Sequence, residues 1–458
     1  MSGANRPRRI GLLTPYTGDN LGDAAIQESV IHNLQKRWPD SNLCAFTLNP
    51  ALTATRHCIP CFPLTGLCRS FYSPPSRPSS PAMGNYHEAL HTPITRLKET
   101  LRGYPSIDWV LRGLLKTLRS LGTFIRLLST ELHHNVASYR ILKDLDLLIA
   151  SGGGQLDDYW GGCWGHPYTL FKWSLLAKAT RTDFMFLSVG ACSLTSLRTR
   201  FFLRTALKFA SYRSYRDAGT KRLLAQMPFT RSDPVYPDLA FSYSPQNTLD
   251  PVEIPTPRPV VGISPIAYLS GRWPKTDSAV YESYIQALSS FVVHLIRQKH
   301  SVVLFATDSP DKAAIRQILT VLEGCGITPN STLMAPVIDN LGDLSATLRQ
   351  LDYVVASRLH GILLSHTLST PVLAISYDPK VDTHMLDMEQ SDYCLDIHTL
   401  GLGDLLHRFE RLTANRHHIV SQLGRAVARR KAQLDEQYDS IASSCPAGAT
   451  TLAASVGC

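Results

Sequence analysis

Short apolar runs alternate with amphipathic stretches along most of the chain, the pattern of an α/β protein built on parallel strands. Ile10-Gly11-Leu12-Leu13 reads as a buried strand, residues 14–22 as a polar loop, and Ile26, Val30, Ile31 and Leu34 as one face of a helix. A strand is predicted at 43–48. Residues 56–95 break the rhythm, with Pro60, Pro63, Pro74, Pro75, Pro78 and Pro81 among serines, and read as an extended surface insertion. The spacing then predicts a helix over 106–140 and a strand over 145–150 that ends in Ser151-Gly152-Gly153-Gly154. A helix over 169–179, a strand over 184–189, a basic helix over 197–209, a strand over 211–215 and a helix opened by Arg216-Asp217 follow.

Pro251, Pro255, Pro257 and Pro259 mark a linker, after which the alternation restarts. Strands are predicted at 260–264, 302–306, 332–334, 353–355 and 372–375, with helices at 279–297, 312–322, 341–351 and 362–368. A long helix at 416–440 precedes a small-residue tail. The reading is an α/β chain of two Rossmann-like domains facing a cleft: 1–250, a linker at 251–259, and 260–415. A terminal helix at 416–442 and a flexible tail at 443–458 complete it. Parallel sheets bind ligands at the carboxyl ends of their strands, so that cleft is the expected site.

Charge and cysteine content narrow the partners. Lys and Arg number 46 against 37 Asp and Glu, which favours an anionic partner without naming it. The basic residues are dispersed and no recognition motif accompanies them, so nucleic acid is not expected. Ten cysteines in 458 residues do not form a disulfide scaffold. Cys58-Ile59-Pro60-Cys61, beside His57, lacks the second pair that a zinc site needs, and no metal is expected. The polar, basic start leads straight into a strand and no apolar run approaches the ~18 residues of a membrane span. The expectation is a cytoplasmic protein, soluble or peripheral at the inner membrane face. Within 109–130 there is no acid, and Arg112, Lys116, Arg119 and Arg126 lie largely opposite Leu111, Leu114, Leu118, Leu121 and Ile125. Such a helix either touches an anionic membrane or shows a solvated basic face.

The most informative chemistry is Ser357-Arg358-Leu359-His360-Gly361, between a strand and a helix. A helix N-terminus favours an anion; Arg adds a planar fork and His a group able to move a proton near neutral pH. The combination fits a small, doubly anionic substrate. Arg216-Asp217 repeats the geometry in the first half, so two arginines can hold one anion from both sides. In the loop Thr17-Gly18-Asp19-Asn20-Leu21-Gly22-Asp23, the Asp and Asn side chains either cap the helix or face the cleft. Gly152-Gly153-Gly154 permit close approach to the backbone but match neither a P-loop nor a dinucleotide fingerprint. Trp160, Trp164, His166 and Tyr168 form either a sugar platform or a core aromatic cluster.

Taken in order with Tyr377-Asp378-Pro379-Lys380-Val381, these pieces resemble the polysaccharide pyruvyl transferases, over about residues 10–396. The resemblance implies a two-domain fold like that of GT-B glycosyltransferases. It implies transfer of the pyruvyl group of phosphoenolpyruvate to sugar hydroxyls of a cell-surface polysaccharide or its precursor. A cyclic ketal forms and phosphate is released, with no cofactor. The family's phosphoenolpyruvate contacts fall on Arg216, Arg358, Leu359 and His360. His360 is then the candidate for proton transfer, Asp19 or Asp23 for activating a sugar hydroxyl, and Asn20, Gly153, Gly154, Trp160 and Lys380 for lining the acceptor side. The acceptor is a sugar or a lipid-linked glycan. Two rivals remain: a nucleotide-sugar glycosyltransferase of the same architecture, and a non-catalytic anion- or glycan-binding protein.

Overall fold

The computed structural model describes residues 6–66, 105–159, 161–192, 194, 196–225, 227, 233–244, 259–270 and 276–444, with only the backbone of 105–121 and 124. Residues 67–95 of the 56–95 insertion, Trp160, residues 251–258 of the linker and residues 445–458 of the tail lie outside the described residues.

The first sheet comprises β1 (Arg9–Leu13), β2 (Asn42–Thr47), β3 (Cys61–Pro63), β4 (Leu147–Ser151), β5 (Asp183–Val189) and β6 (Tyr212–Tyr215), in the order β3-β2-β1-β4-β5-β6. The second comprises β7 (Val260–Ser264), β8 (Ser301–Leu304), β9 (Leu333–Met334), β10 (Tyr353–Ala356), β11 (Val372–Ser376) and β12 (Cys394–Asp396), in the order β12-β11-β10-β7-β8-β9. Every neighbouring pair runs parallel. Both sheets thus have the doubly wound Rossmann order. In each, the order reverses between the first and fourth strands, and that reversal opens a crevice for ligand.

The first lobe carries α1 (Leu21–Arg37), α2 (Pro50–His57), α3 (Pro105–Leu142), α4 (His166–Thr180), α5 (Leu197–Phe209) and α6 (Ala218–Leu224). The second carries α7 (Ser278–Arg297), α8 (Lys312–Gly324), α9 (Leu341–Leu348), α10 (Leu359–Thr367), α11 (Pro379–Asp387) and α12 (Leu402–Ala414). Strand alternation assigns the first sheet's two faces. Leu148, Ala150, Phe184 and Phe186 pack under α4 and α5 with Trp173 and Leu203, whereas Leu147, Ile149, Met185 and Leu187 pack under α1 with Ile26 and Val30. The terminal helix α13 (Arg416–Ser444) returns to the first lobe. There Arg37 pairs with Asp435 and Asp439, and Gln437 donates to Ser214. No described helix is long and apolar enough to cross a membrane.

One expectation is corrected. The segment that begins at residue 56 is not all insertion: α2 ends at His57, and β3 pairs with β2 through Cys61, Phe62 and Pro63. Pro63 is tolerated because β3 is an edge strand, and Pro50 occupies the first turn of α2, where its missing N–H costs nothing.

Candidate active site

The loops after β1, β4, β5 and β6 in one sheet, and after β8, β10 and β11 in the other, meet across a cleft of about 420 Å³. The first of them is stitched to the opposite lobe. Asn20 forms an antiparallel bridge with Asp308, and the Leu21 N–H donates to the Thr307 carbonyl at 2.8 Å. Arg56 donates to the carbonyls of Gly18 and, across the cleft, Asp339. Gly18 has φ +97°, and a Cβ there would come within 2.3 Å of Leu52. Asn20 caps α1, its Oδ1 accepting from the N–H groups of Gly22 and Asp23 at 2.8 and 3.1 Å. Its side-chain carbonyl is therefore committed to the turn, although the residue lines the cleft.

In the second lobe β10 runs into α10, with Arg358 at the N-cap position and no side chain capping the first turn. Backbone N–H groups at Leu359 and beyond are thus left for an anion. Arg358 itself is held by two carboxylates. Its Nε and Nη2 donate to Asp311 at 2.7 and 3.0 Å, and Nη2 lies 3.1 Å from Asp308. Asp311 is fully buried and also accepts from the Ala267 N–H. Nη1 lies outside these bonds.

His360 points across the cleft. Its ring occupies the space above Gly22, where a Cβ would fall 2.2 Å from Cγ and Nδ1. Its Nε2 lies 3.7 Å from Asp238, which also faces Arg216 Nη1 at 3.4 Å and accepts from the Ala240 N–H. Burial alone would raise the Asp238 carboxyl, but the neighbouring His360 and Arg216 outweigh it and hold it well below the usual carboxylate range. Arg216 is buried against Gly190, where a Cβ would come within 2.7 Å of Nη2, and its Nε faces Asp217 at 3.5 Å. One buried carboxylate thus couples an arginine of the first lobe to the histidine of the second.

Beyond β4, Gly152 and Gly153 adopt φ +57° and +71°, and Gly154 lines the cleft beside them. Gln155 fastens this loop by donating to the carbonyls of Leu13, Ser151 and Gly152. Its Oε1 lies 3.2 Å from Nε2 of His166, whose pKa burial pushes down to about 3. Lys380 lies over the Tyr377 ring with Asp378 3.6 Å away. Burial works against its charge, but Tyr377 and Asp378 outweigh it and raise the pKa above the ordinary lysine value.

Asp19, Asn20, Asp23, Gly153, Gly154, Arg216, Arg358, Leu359, His360 and Lys380 therefore line one cleft. Trp160 lies outside the described residues. Trp164 does not reach the cleft; it packs on Tyr168 and Phe202 between α4 and α5. The cleft is also more acidic than the sequence suggested. Burial raises Asp23, and raises Asp157 and Asp308 to about 6. Sequence reasoning missed Asp157, Asp238, Asp308 and Asp311. Only Asp308-Ser309-Pro310-Asp311, two acids flanking a turn just beyond β8, carried a usable signal. Among the described residues no group of three His, Cys, Asp or Glu side chains could hold a metal.

Two Rossmann-order sheets closing on a cleft with arginines from both lobes define a GT-B-like protein. The chain belongs to the polysaccharide pyruvyl transferase family, whose model matches residues 20–379. Membership makes it a transferase with a sugar or glycan acceptor. Among curated proteins nothing matches its sequence. Among solved structures it is similar to a UDP-GlcNAc 2-epimerase from Neisseria meningitidis bound to UDP-GlcNAc, with TM-score 0.54, 10% identity, and coverage of 96% of this chain and 100% of that one. It is also similar to a putative UDP-N-acetylglucosamine 2-epimerase from Listeria monocytogenes, with TM-score 0.52, 10% identity, and coverage of 95% and 97%. The glycotransferase of kitacinnamycin matches with TM-score 0.50, 11% identity, and coverage of 96% and 100%. At these identities the likeness is one of fold.

Proposed function

We propose that the cleft binds phosphoenolpyruvate and a glycan diol and joins them as a pyruvate ketal. The observation that carries this reading is the line Arg216–Asp238–His360, with Arg358 beside it and Asp23 facing it from the other lobe. The donor's carboxylate and phosphate meet the nitrogens of Arg216 and Arg358 that lie outside the ion pairs, together with the first-turn N–H of α10. His360 delivers a proton to the methylene carbon. Asp23, whose pKa is raised by burial, takes a proton from the attacking sugar hydroxyl. A second hydroxyl displaces the phosphate as the ketal closes. One hydroxyl proton ends on the new methyl group and the other leaves with phosphate. Lys380 and the Gly153-Gly154 loop border the acceptor side, and the acceptor is a sugar of a cell-surface polysaccharide or its lipid-linked precursor.

Incubation with phosphoenolpyruvate and candidate diols tests this. The expected result is phosphate release that requires both, with a pyruvate ketal in the product mass. Turnover of a UDP-sugar without phosphate release from phosphoenolpyruvate would assign glycosyl transfer instead.

Gly22→Ala should be a sensitive probe. A methyl group there forces the His360 ring aside, and displacement by about 1 Å is worth roughly 10²-fold in rate. Turnover is expected to fall by about that factor with little loss of donor binding, read from initial rates of phosphate release.

Asp308 sets a pH dependence. Its raised pKa of about 6 means that the cleft gains a negative charge as pH rises through that value. An anionic donor then binds less tightly above pH 6 than below it. Asp308→Asn removes its share of the step, leaving that of Asp157 in the same cleft, and the donor KM should rise about threefold less between pH 5 and 7.5 in the variant than in the parent. Parallel profiles in the two proteins would show that Asp308 does not face the donor.

A further inference from the structure

Helix α3 is docked with its polar side inward. Over its described C-terminal half, Glu131 is buried in an ion pair with Lys172 at 2.6 Å, His134 bonds the Pro63 carbonyl at 2.9 Å, and Ser138 is buried. The opposite side presents Ile125, Leu128, Leu132 and Val136, at helical spacing and between 47% and 62% exposed. A surface helix ordinarily turns such a stripe toward the body of its domain. Here the stripe faces out. Helix α4 carries α3 on one side and α5 on the other, and α5 exposes Leu197 (82%) and Phe201 (60%).

The charges of this layer have one sign. Arg126, Arg198, Arg200, Arg204 and Lys208 are all exposed, and the described side chains of α3, α4 and α5 include no exposed carboxylate. The N-terminal half of α3 adds Arg112, Lys116 and Arg119 in sequence, again without an acid from Trp109 to Thr130.

We propose that the α3–α5 face rests on an anionic membrane surface, its apolar stripe entering the headgroup and acyl boundary and its cations meeting lipid phosphates. An apolar stripe flanked by cations along a helix is the pattern of one that lies in the plane of the interface. A second copy of the chain is the poorer occupant, because a two-fold interface places this basic face against itself. The inference is independent of the donor: it stands on α3 and α5 and uses no residue of the cleft.

Vesicle co-sedimentation of the full chain tests it, with phosphatidylcholine vesicles alone or mixed with phosphatidylglycerol. The protein should partition onto the anionic vesicles and be released by salt. The combined substitution of Leu128→Asp, Leu132→Asp and Val136→Asp should cut partition about tenfold. Arg198→Glu, Arg200→Glu and Arg204→Glu, on the other helix, should do the same, about tenfold again. Unchanged thermal melts and far-ultraviolet circular dichroism establish that each variant is folded. Equal partition to both vesicle types, or none, overturns the proposal. So does a wild-type dimer that either set of substitutions converts to monomer without any vesicle binding.

Discussion

Arg358→Ala should lose both stability and turnover. The guanidinium satisfies both oxygens of Asp311, which has no exposure to solvent, and one oxygen of Asp308. Its removal strands a buried carboxylate, and breaking a buried pair in this way costs about 3–5 kcal/mol. Turnover falls for a second reason, since a preorganised donor to the reacting anion is worth about 10²–10³ in kcat. Arg358→Lys separates the two effects. A lysine keeps the counter-charge for Asp311 but not the planar fork, so much of the stability returns while turnover stays low. Asp311→Asn is the complementary probe: it preserves shape and loosens the arginine, and should raise the donor KM more than it lowers the melting temperature. Urea unfolding and initial rates on the three variants decide the matter. An Arg358→Ala protein as stable as the parent would show that the carboxylates have other partners.

Those ion pairs mark where the sequence stopped being legible. The strand and helix alternation is a local property, and periodicity located ten of the twelve described strands to within a few residues, with 197–209 and 260–264 matching their elements, but missed the short edge strands β3 and β12. The motifs after β1, β4 and β10 follow from the same logic, because the ends of the first and fourth strands of each sheet are where a doubly wound order opens a crevice, whereas Arg216 and Lys380 come in from the ends of β6 and β11. Partners are another matter. Asp311 lies 47 positions from Arg358 and Asp238 lies 22 from Arg216, and no local pattern links them. The sequence therefore suggested bare cations where the fold supplies matched carboxylates. Asn20 shows the converse: its capping role was visible in the loop, and its side-chain oxygen is used for that. Proline misled the reading at β3, because a sheet edge tolerates it. The outward stripe on α3 was equally hidden: periodicity shows that a helix has two faces, not which one meets the domain.

His360→Ala is expected to lower kcat by about 10²–10⁴ with a modest change in donor KM, because a proton-transferring group contributes to the transition state more than to ground-state binding. A phosphate-binding role would show the reverse split, with KM rising and kcat nearly kept. Asp238 sharpens the distinction. It touches the imidazole at 3.7 Å and Arg216 at 3.4 Å, so it acts on the reaction through them as a positioning residue. Asp238→Asn keeps the volume and the acceptor for the Ala240 N–H but removes the counter-charge beside the imidazole. The imidazole loses the carboxylate beside it that holds its place, and kcat should fall by up to about 10²-fold. A variant merely weakened in structure would show a lower melting temperature, with its folded fraction turning over normally. Because the same carboxylate neutralises Arg216, its loss also leaves the arginine with a freer charge, and donor KM should hold or fall while kcat drops. That combination, a lower kcat with a donor that binds no worse, requires His360 to act in the transition state; a rise in KM with kcat nearly kept would assign the histidine to binding alone.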